Sequence, residues 1–570
     1  MSSLYHTLET RLRQAFDALS PGADPVLRPS ERADFQANGA LGLAKVLGQS
    51  PREVASLVVA TLDISDLGEI EIAGPGFINI RVDAAVMGER LRLLLDDERL
   101  GSAPREPRRV VIDYSAPNVA KEMHVGHLRS TVIGDCLARV HRFVGDTVIA
   151  RNHVGDWGTP FGMLIEHLID LGEADAIASL SVGDLDSFYR AARFKFEGDE
   201  TFRERSRARV VALQGGDPET RRLWQLLVDQ SVAYFSEVYA ALDVLLTPQD
   251  VVGESSYNDQ LEAVVEDLDR QGLLVESHGA QCVFPPGFAG RDGEPQPLIV
   301  RKSDEGFGYA ATDLAAVRDR VSRLGANEIY YVVGAPQVQH FQMIFAVARL
   351  AGWLPDSVHC EHVAFGSVLG PDRKMFKTRS GETIKLSALL EDATDRARTE
   401  LAQRRPEQSS TEREALARDV ARAAIKYADL STDRQRDYVF DLDRMISAEG
   451  DTGPYLQYAH ARIRAVFRRA GQEVPRGVTP TIAEPAERAL ALGILAWPDA
   501  VSAALSSSQP HRLCGYLFDL AQRFSTFYEE CPVLSAPDDI RDSRLVIIEL
   551  TARILALGLS LLGIAAPEQM

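Results

Sequence analysis

DYSAPNVAKEMHVGHLRSTVIGD, residues 113–135, sets His124 and His127 three apart around Gly126, where a β-branched run gives way to helical periodicity. The preceding RRVVIDYS suits a buried parallel strand. The following HLRSTVIGDCLARVHRFVG places Leu128, Val132, Cys136 and Val140 on one helical face. Strand, turn and helix in this order open a nucleotide-binding α/β domain. At such a junction the free amides and the dipole of the helix N-terminus favour phosphate. Gly126 leaves room for a flat ring against the backbone, and the two histidines can donate toward an anionic oxygen. Two histidines without a third ligand make a poor zinc site, so no protein-held metal is expected. A bare HxGH is also met, and more often, by two histidines that simply cap a turn.

Outward from this stretch, TVIARNHVGD, EIYYVVG and SVHCEHVAFG read as further strands separated by helical segments, which predicts a doubly wound, Rossmann-like parallel sheet. A charged helical region over 163–251 interrupts the alternation and reads as an insertion. Upstream, DERLGSAPREPRR is polar with two prolines and reads as a linker. Before it, Leu4, Leu8, Leu12, Phe16 and Leu19 mark an amphipathic helix, ALGLAKVLGQSPREVASLVVATL a second helical stretch, and EIEIAGPGFINIRV two strands turning at Gly74, Pro75 and Gly76. From Ser387 onward helical periodicity dominates, broken by RRPEQSST and GQEVPRGVTPTIAEPAE. The expected organisation is an α+β module at 1–105, an α/β domain at 106–385, a helical connection at 386–452 and an all-α bundle at 453–570.

Composition agrees with several folded domains. The 570 residues exceed what one core holds, and 45% hydrophobic with 25% charged content is that of a soluble globular chain. A net charge of -20 disfavours indiscriminate nucleic-acid binding, so any basic face has to be local. Five cysteines without a CxxC pair form neither a disulfide framework nor a zinc module, and fit a reducing compartment. MSSLYHTLETRLRQAF lacks the apolar core of a signal peptide, and the apolar run at 554–565 is too short to span a bilayer, so no membrane segment is expected. In HCEH, residues 359–362, neighbouring side chains alternate faces of a strand and cannot converge on one ion.

HVGH resembles the HIGH motif of class I aminoacyl-tRNA synthetases, and the longer SAPNVAKEMHVGHLRST resembles its arginyl-tRNA synthetase form, SxPNxAKxxHxGHLRST. GYAATDLAAV is similar to the stretch that carries the tyrosine and aspartate reading the substrate guanidinium, here Tyr309 and Asp313. A carboxylate can offer a guanidinium two parallel charge-assisted bonds, which an ammonium cannot reproduce. Without that context YxxxD reads as a core tyrosine and a capping aspartate. The resemblance also implies Gln337, in VVGAPQVQHFQ, near the substrate amino group, with Asp113 and Asn118 around its ammonium and carboxylate; each alone reads equally as a turn residue. RKMFKTRSGETIKL occupies the place of the KMSKS signature but departs from it, because Thr378 stands at the second lysine. In the family a lysine before HIGH is thought to compensate, here Lys121; Lys377 and Arg379 read equally as ATP-facing or as solvating residues. DTGPYLQYAHARIRAVFRRA and GLSLLGIAAPEQM resemble the family's helical anticodon-binding domain, and DFQANGALGLAKVL its N-terminal domain. Arg462, Arg464, Arg468 and Arg469 each read more simply as solvating a helix face than as phosphate contacts.

The resemblance implies an arginine-tRNA ligase of the cytoplasm, acting as a monomer on ATP, L-arginine and tRNA(Arg). His124, His127 and Lys121 are then the catalytic group, and Gly126, Lys377, Thr378 and Arg379 complete the ATP site with both histidines. Mg2+ is expected to arrive on ATP. A small HxGH nucleotidyltransferase would need neither the helical C-terminal region nor Asp313. A non-catalytic paralogue that binds tRNA finds support only in the degenerate second signature.

Overall fold

The computed structural model describes residues 2–570 except 182–184, 291–292, 304–305, 375, 377–383, 405–406, 473 and 476, together with the side chains of 178–181. It divides into two compact units, residues 1–104 with 447–560 and 565–570, and residues 105–446 with 561–564.

In the first unit, Leu4–Asp17 is a helix capped by the Ser3 hydroxyl and burying Leu4, Leu8, Leu12 and Phe16; Leu19 falls beyond its end. The next helical stretch is two helices, Gly39–Leu47 and Pro51–Thr61. Gly48, at φ 66°, closes the first, and the Ser50–Glu53 capping box with Pro51 opens the second, a stop and a start that hydrophobic periodicity runs through. Four antiparallel strands, β1 (Leu27–Pro29), β2 (Phe35–Ala37), β3 (Gly68–Ala73) and β4 (Phe77–Val82), form a sheet in the order β1-β2-β4-β3. The turn around Gly74 and Gly76 is as read from the sequence, whereas β1 and β2 are too short to show alternation. Helices Gly453–Ala470, Pro485–Leu495, Trp497–Ser507, Pro510–Glu530 and Asp538–Leu561 make up the bundle. Arg488 joins it to the small sheet through a forked pair with Asp34, at 2.5 and 2.8 Å. Of the four arginines assigned to a solvated face, three make contacts within the described residues, Arg462 by stacking over the Tyr528 ring, 4.1 Å from its centroid. Arg464 pairs with Glu549 at 2.8 Å and with Glu568 at 3.6 Å, and Arg468 donates to the Glu568 carbonyl at 2.9 Å, so both hold the last residues of the chain.

The second unit is built on a parallel sheet. Its strands β5 (Arg109–Asp113) and β6 (Thr147–Arg151) are followed by a small antiparallel sheet of β7 (Val275–Ser277), β8 (Ala280–Val283) and β9 (Leu298–Arg301) that the sequence did not announce. The chain then returns through β10 (Glu328–Tyr331) and β11 (His359–His362), and β12 (Val368–Leu369) pairs with β13 (Tyr438–Val439). The order β11-β10-β5-β6, parallel throughout, sends the chain to one side after β5 and to the other at β10. The crevice at the carboxyl ends of β5 and β10 is therefore the switch point where ligands of such sheets bind. Among the described residues, five helices from Pro160–Leu171 to Pro218–Leu242 form the insertion between β6 and β7.

The helix Val125–Phe143 is buried nearly all round, including Arg129, Thr131 and Asp135, rather than on the single face its periodicity suggests. Polar residues survive there because each is paired: Arg129 lies 3.3 Å from Asp429 and donates to the Arg436 carbonyl at 2.8 Å. Among the described residues no single helix is long and apolar enough to cross a membrane, and all five cysteines are free thiols.

Candidate active site

The loop between β5 and the helix Val125–Phe143 is strained. Ser115, Ala116 and Ala120 have φ of 75°, 47° and 57°, which costs residues with a Cβ about 1–3 kcal/mol each. Buried hydroxyls and an amide hold it. The Ser115 N–H donates to Ser130 Oγ at 2.8 Å, the Ala116 N–H to Asn152 Oδ1 at 2.9 Å and the Ala120 N–H to Ser231 Oγ at 2.9 Å. Ser115 Oγ is also bonded to Tyr239 OH at 2.8 Å and to Thr131 Oγ1 at 3.0 Å. The serine and threonine of HLRST thus support the loop, and Tyr239 and Ser231 come from the insertion.

That loop delivers the two histidines to the helix N-terminus. His124 Nδ1 accepts the Gly126 N–H at 3.0 Å, and His127 Nδ1 accepts the His124 N–H at 3.1 Å. An accepting Nδ1 places the proton of a neutral imidazole on Nε2, which leaves both rings with an Nε2–H donor. Burial lowers both pKa values, that of His127 to about 3, with the neighbouring ring and the Lys121 charge acting in the same direction on His127. The rings lie 4.0 Å apart. Gly126 is required because a Cβ there would stand 2.7 Å from the His124 ring.

Lys377, Thr378 and Arg379 lie outside the described residues. The exit of their loop is described and runs beside HVGH: the Val125 N–H donates to the Ile384 carbonyl at 3.0 Å, and the Leu386 N–H to that of Met123 at 2.9 Å. Lys385 seals this pairing with an ion pair to the buried Glu122 at 2.8 Å. The two signature stretches, more than two hundred residues apart in sequence, therefore share one short backbone ladder.

At the same switch point, Asp113 ends β5 opposite Tyr331 of β10 and is buried against Arg320, whose Nη2 donates to it at 2.5 Å. Asn118 is exposed and pairs with Gly155, where a Cβ would come within 2.3 Å of Asn118 Oδ1. Tyr309 and Asp313 are one turn apart on the helix Tyr309–Ser322, with Tyr309 75% exposed and Asp313 bonded to His340 Nε2 at 2.6 Å. Gln337 is exposed in the short turn Ala335–Gln337, three residues before His340. Sequence reasoning missed Arg320, His340, Asp156 and Glu254. His340 stood within the quoted VVGAPQVQHFQ, but nothing local marks it as a partner of Asp313. Asp156 accepts both the N–H and the hydroxyl of Ser255. Burial, reinforced by Asp156 and Asp313, pushes the Glu254 carboxyl up to about 7.

HCEH is β11: His359 faces Glu361 at 3.5 Å, and His362 Nε2 bonds the Val333 carbonyl at 2.9 Å. Among the described residues no three His, Cys, Asp or Glu side chains converge as metal ligands.

Three family models match in order: Arginyl tRNA synthetase N terminal domain at residues 4–82, tRNA synthetases class I (R), catalytic domain at 90–442, and DALR anticodon binding domain at 456–570. The chain is 53% identical over 570 residues to an arginine-tRNA ligase of Thermobifida fusca, covering 100% of this chain and 99% of that one. It is 48% identical over 588 residues to that of Streptomyces avermitilis, covering 100% of both. The fold is similar to the arginyl-tRNA synthetase structures of Plasmodium falciparum, with TM-score 0.87 at 29% identity, and Thermus thermophilus, with TM-score 0.83 at 27%, each over 100% of both chains. With the histidine pair at the switch point and all three domain models along its length, the chain belongs to the class I arginyl-tRNA synthetases.

Proposed function

We propose that the chain is an arginine-tRNA ligase that carries out both half-reactions at the crevice between β5 and β10. The carrying observation is that the two histidines of HVGH use Nδ1 for the backbone, which leaves an Nε2–H donor on each, at a helix N-terminus. In the first step an oxygen of the arginine carboxylate attacks the α-phosphorus of ATP and pyrophosphate leaves. The His124 and His127 Nε2–H groups and the Lys121 ammonium stabilise the charge that builds on the phosphate oxygens, by position and electrostatics rather than by proton transfer. Neutral histidines suit this task, since they donate at any pH near neutrality.

Asp313 receives the guanidinium, with Tyr309 one turn away, while Asp113, Asn118 and Gln337 address the ammonium and carboxylate end. Lys377, Thr378 and Arg379 complete the ATP site from the second loop. Mg2+ would enter as part of the nucleotide substrate and withdraw charge from its phosphates. In the second step the 2'-hydroxyl of the terminal adenosine of tRNA(Arg) attacks the acyl carbon and AMP leaves. The enzyme works as a monomer in the cytoplasm. The test is pyrophosphate exchange into ATP by the full-length protein with tRNA(Arg) present: exchange that requires arginine supports the reading, and tRNA binding without exchange overturns it.

A further inference from the structure

Lys121 is held in an unusual way for a buried-site cation. Among the described residues no carboxylate pairs with its ammonium; instead Nζ sits over the Tyr189 ring, 4.6 Å from the centroid. Tyr189 belongs to the insertion helix Leu185–Gly198, and one turn earlier on the same helix Asp186 Oδ1 accepts the Glu122 N–H at 3.1 Å. One helix therefore grips two consecutive residues, one by its backbone and the other by its charge. Burial is the largest cause lowering the pKa of both His124 and His127; the Lys121 charge acts in the same direction at each, while Asp186 opposes it at His124, so the ammonium is felt within the histidine site.

The chemistry of the grip matters. An ion pair would fix the ammonium but cancel its charge toward an incoming phosphate. An aromatic face fixes it through the ring quadrupole and leaves the full positive charge available. One turn before Tyr189, Asp186 Oδ1 accepts a backbone amide, and among the described residues no ion pair joins Asp186 to Lys121.

We propose that Tyr189 is a positioning residue for arginine activation: its ring holds the Lys121 ammonium at the ATP phosphates, so the insertion helix, and not the second signature loop, places the substitute lysine. This rests on the reading of Lys121 as that substitute. The test uses the full-length enzyme in single-turnover adenylate formation. Tyr189→Leu should lower the rate by about tenfold or more, with the arginine KM unchanged, and Tyr189→Phe should retain most of the rate. Phenylalanines progressively fluorinated at position 189 keep the shape while weakening the quadrupole, and the logarithm of the rate should fall steadily along that series. A flat series, or a loss in Tyr189→Phe as large as in Tyr189→Leu, overturns the proposal. Lys121→Met separates the two levels. If it keeps the full rate, the Lys121 reading fails; if it loses the rate while the fluorinated series is flat, only the role of Tyr189 fails. On a Lys121→Met background Tyr189→Leu should cost nothing more, and a further loss there would also count against the proposal.

Discussion

His127 Nδ1 accepts the backbone N–H of His124 at 3.1 Å, so the second histidine of HVGH caps the helix with one nitrogen and offers a donor with the other. The capped turn is thus compatible with the proposed phosphate site in one arrangement. Capping fixes the tautomer, and the tautomer supplies the donor.

His127→Asn should separate those roles, since its amide oxygen can replace Nδ1 at the cap but nothing replaces Nε2–H. We expect arginine activation to fall roughly a hundredfold, about 3 kcal/mol of transition-state stabilisation, with little change in thermal unfolding. His127→Ala should lose the rate and the cap together. Pyrophosphate exchange and calorimetry on the two variants check this, and equal stability losses would refute the division of labour.

The same histidine makes stability depend on acid. An unfolded histidine takes its proton near pH 6.5 and His127 in the fold only near 3, so between those values the unfolded chain holds the extra proton. Stability should be insensitive to this residue above pH 6.5 and fall as pH drops toward 3, by about 1.4 kcal/mol per pH unit for that proton. Urea titrations across the window should show a slope shallower by one proton in His127→Asn. An unchanged slope would contradict burial of the neutral ring.

For the arginine end, Asp313→Ala should abolish arginine activation while leaving ATP affinity largely intact. Gly155→Ala tests Asn118 without touching it, because the added Cβ meets Asn118 Oδ1 at 2.3 Å and must displace it. We expect its arginine KM to rise about tenfold or more with the ATP KM nearly constant. Steady-state kinetics with each substrate varied reads both, and an unaltered arginine KM in either variant removes that residue from the pocket.

Arg129 lies in the signature HLRST but should behave as a strut. Arg129→Met leaves Asp429 buried without its charge partner, which should cost about 3–5 kcal/mol of stability. Urea unfolding measures it. A stable variant with a raised KM would instead make Arg129 a ligand.

Much of this was legible because it is local. HVGH, the strand before it and the helix after it follow from composition over twenty-odd residues, and the β3–β4 turn from its two glycines. What was not legible depends on contacts between distant segments. No propensity anticipates a left-handed Ser115, Ala116 or Ala120, since the conformation is imposed by Ser130, Asn152 and Ser231. Nothing local marks Lys385 as the partner of Glu122, 263 residues away. His340 and Arg320 likewise acquire their roles only once Asp313 and Asp113 are placed beside them. Leu128, Val132, Cys136 and Val140 are buried as their spacing indicates, but the burial of the other faces of Val125–Phe143 comes from elements distant in sequence.

The most direct measurement of the central claim is aminoacylation of a panel of tRNAs with each of the standard amino acids, using the full-length protein, ATP and Mg2+. We expect arginine alone to be charged, onto tRNA(Arg) alone, with one AMP formed per aminoacyl-tRNA. Tight tRNA binding with no arginylation, or charging with another amino acid, would contradict it.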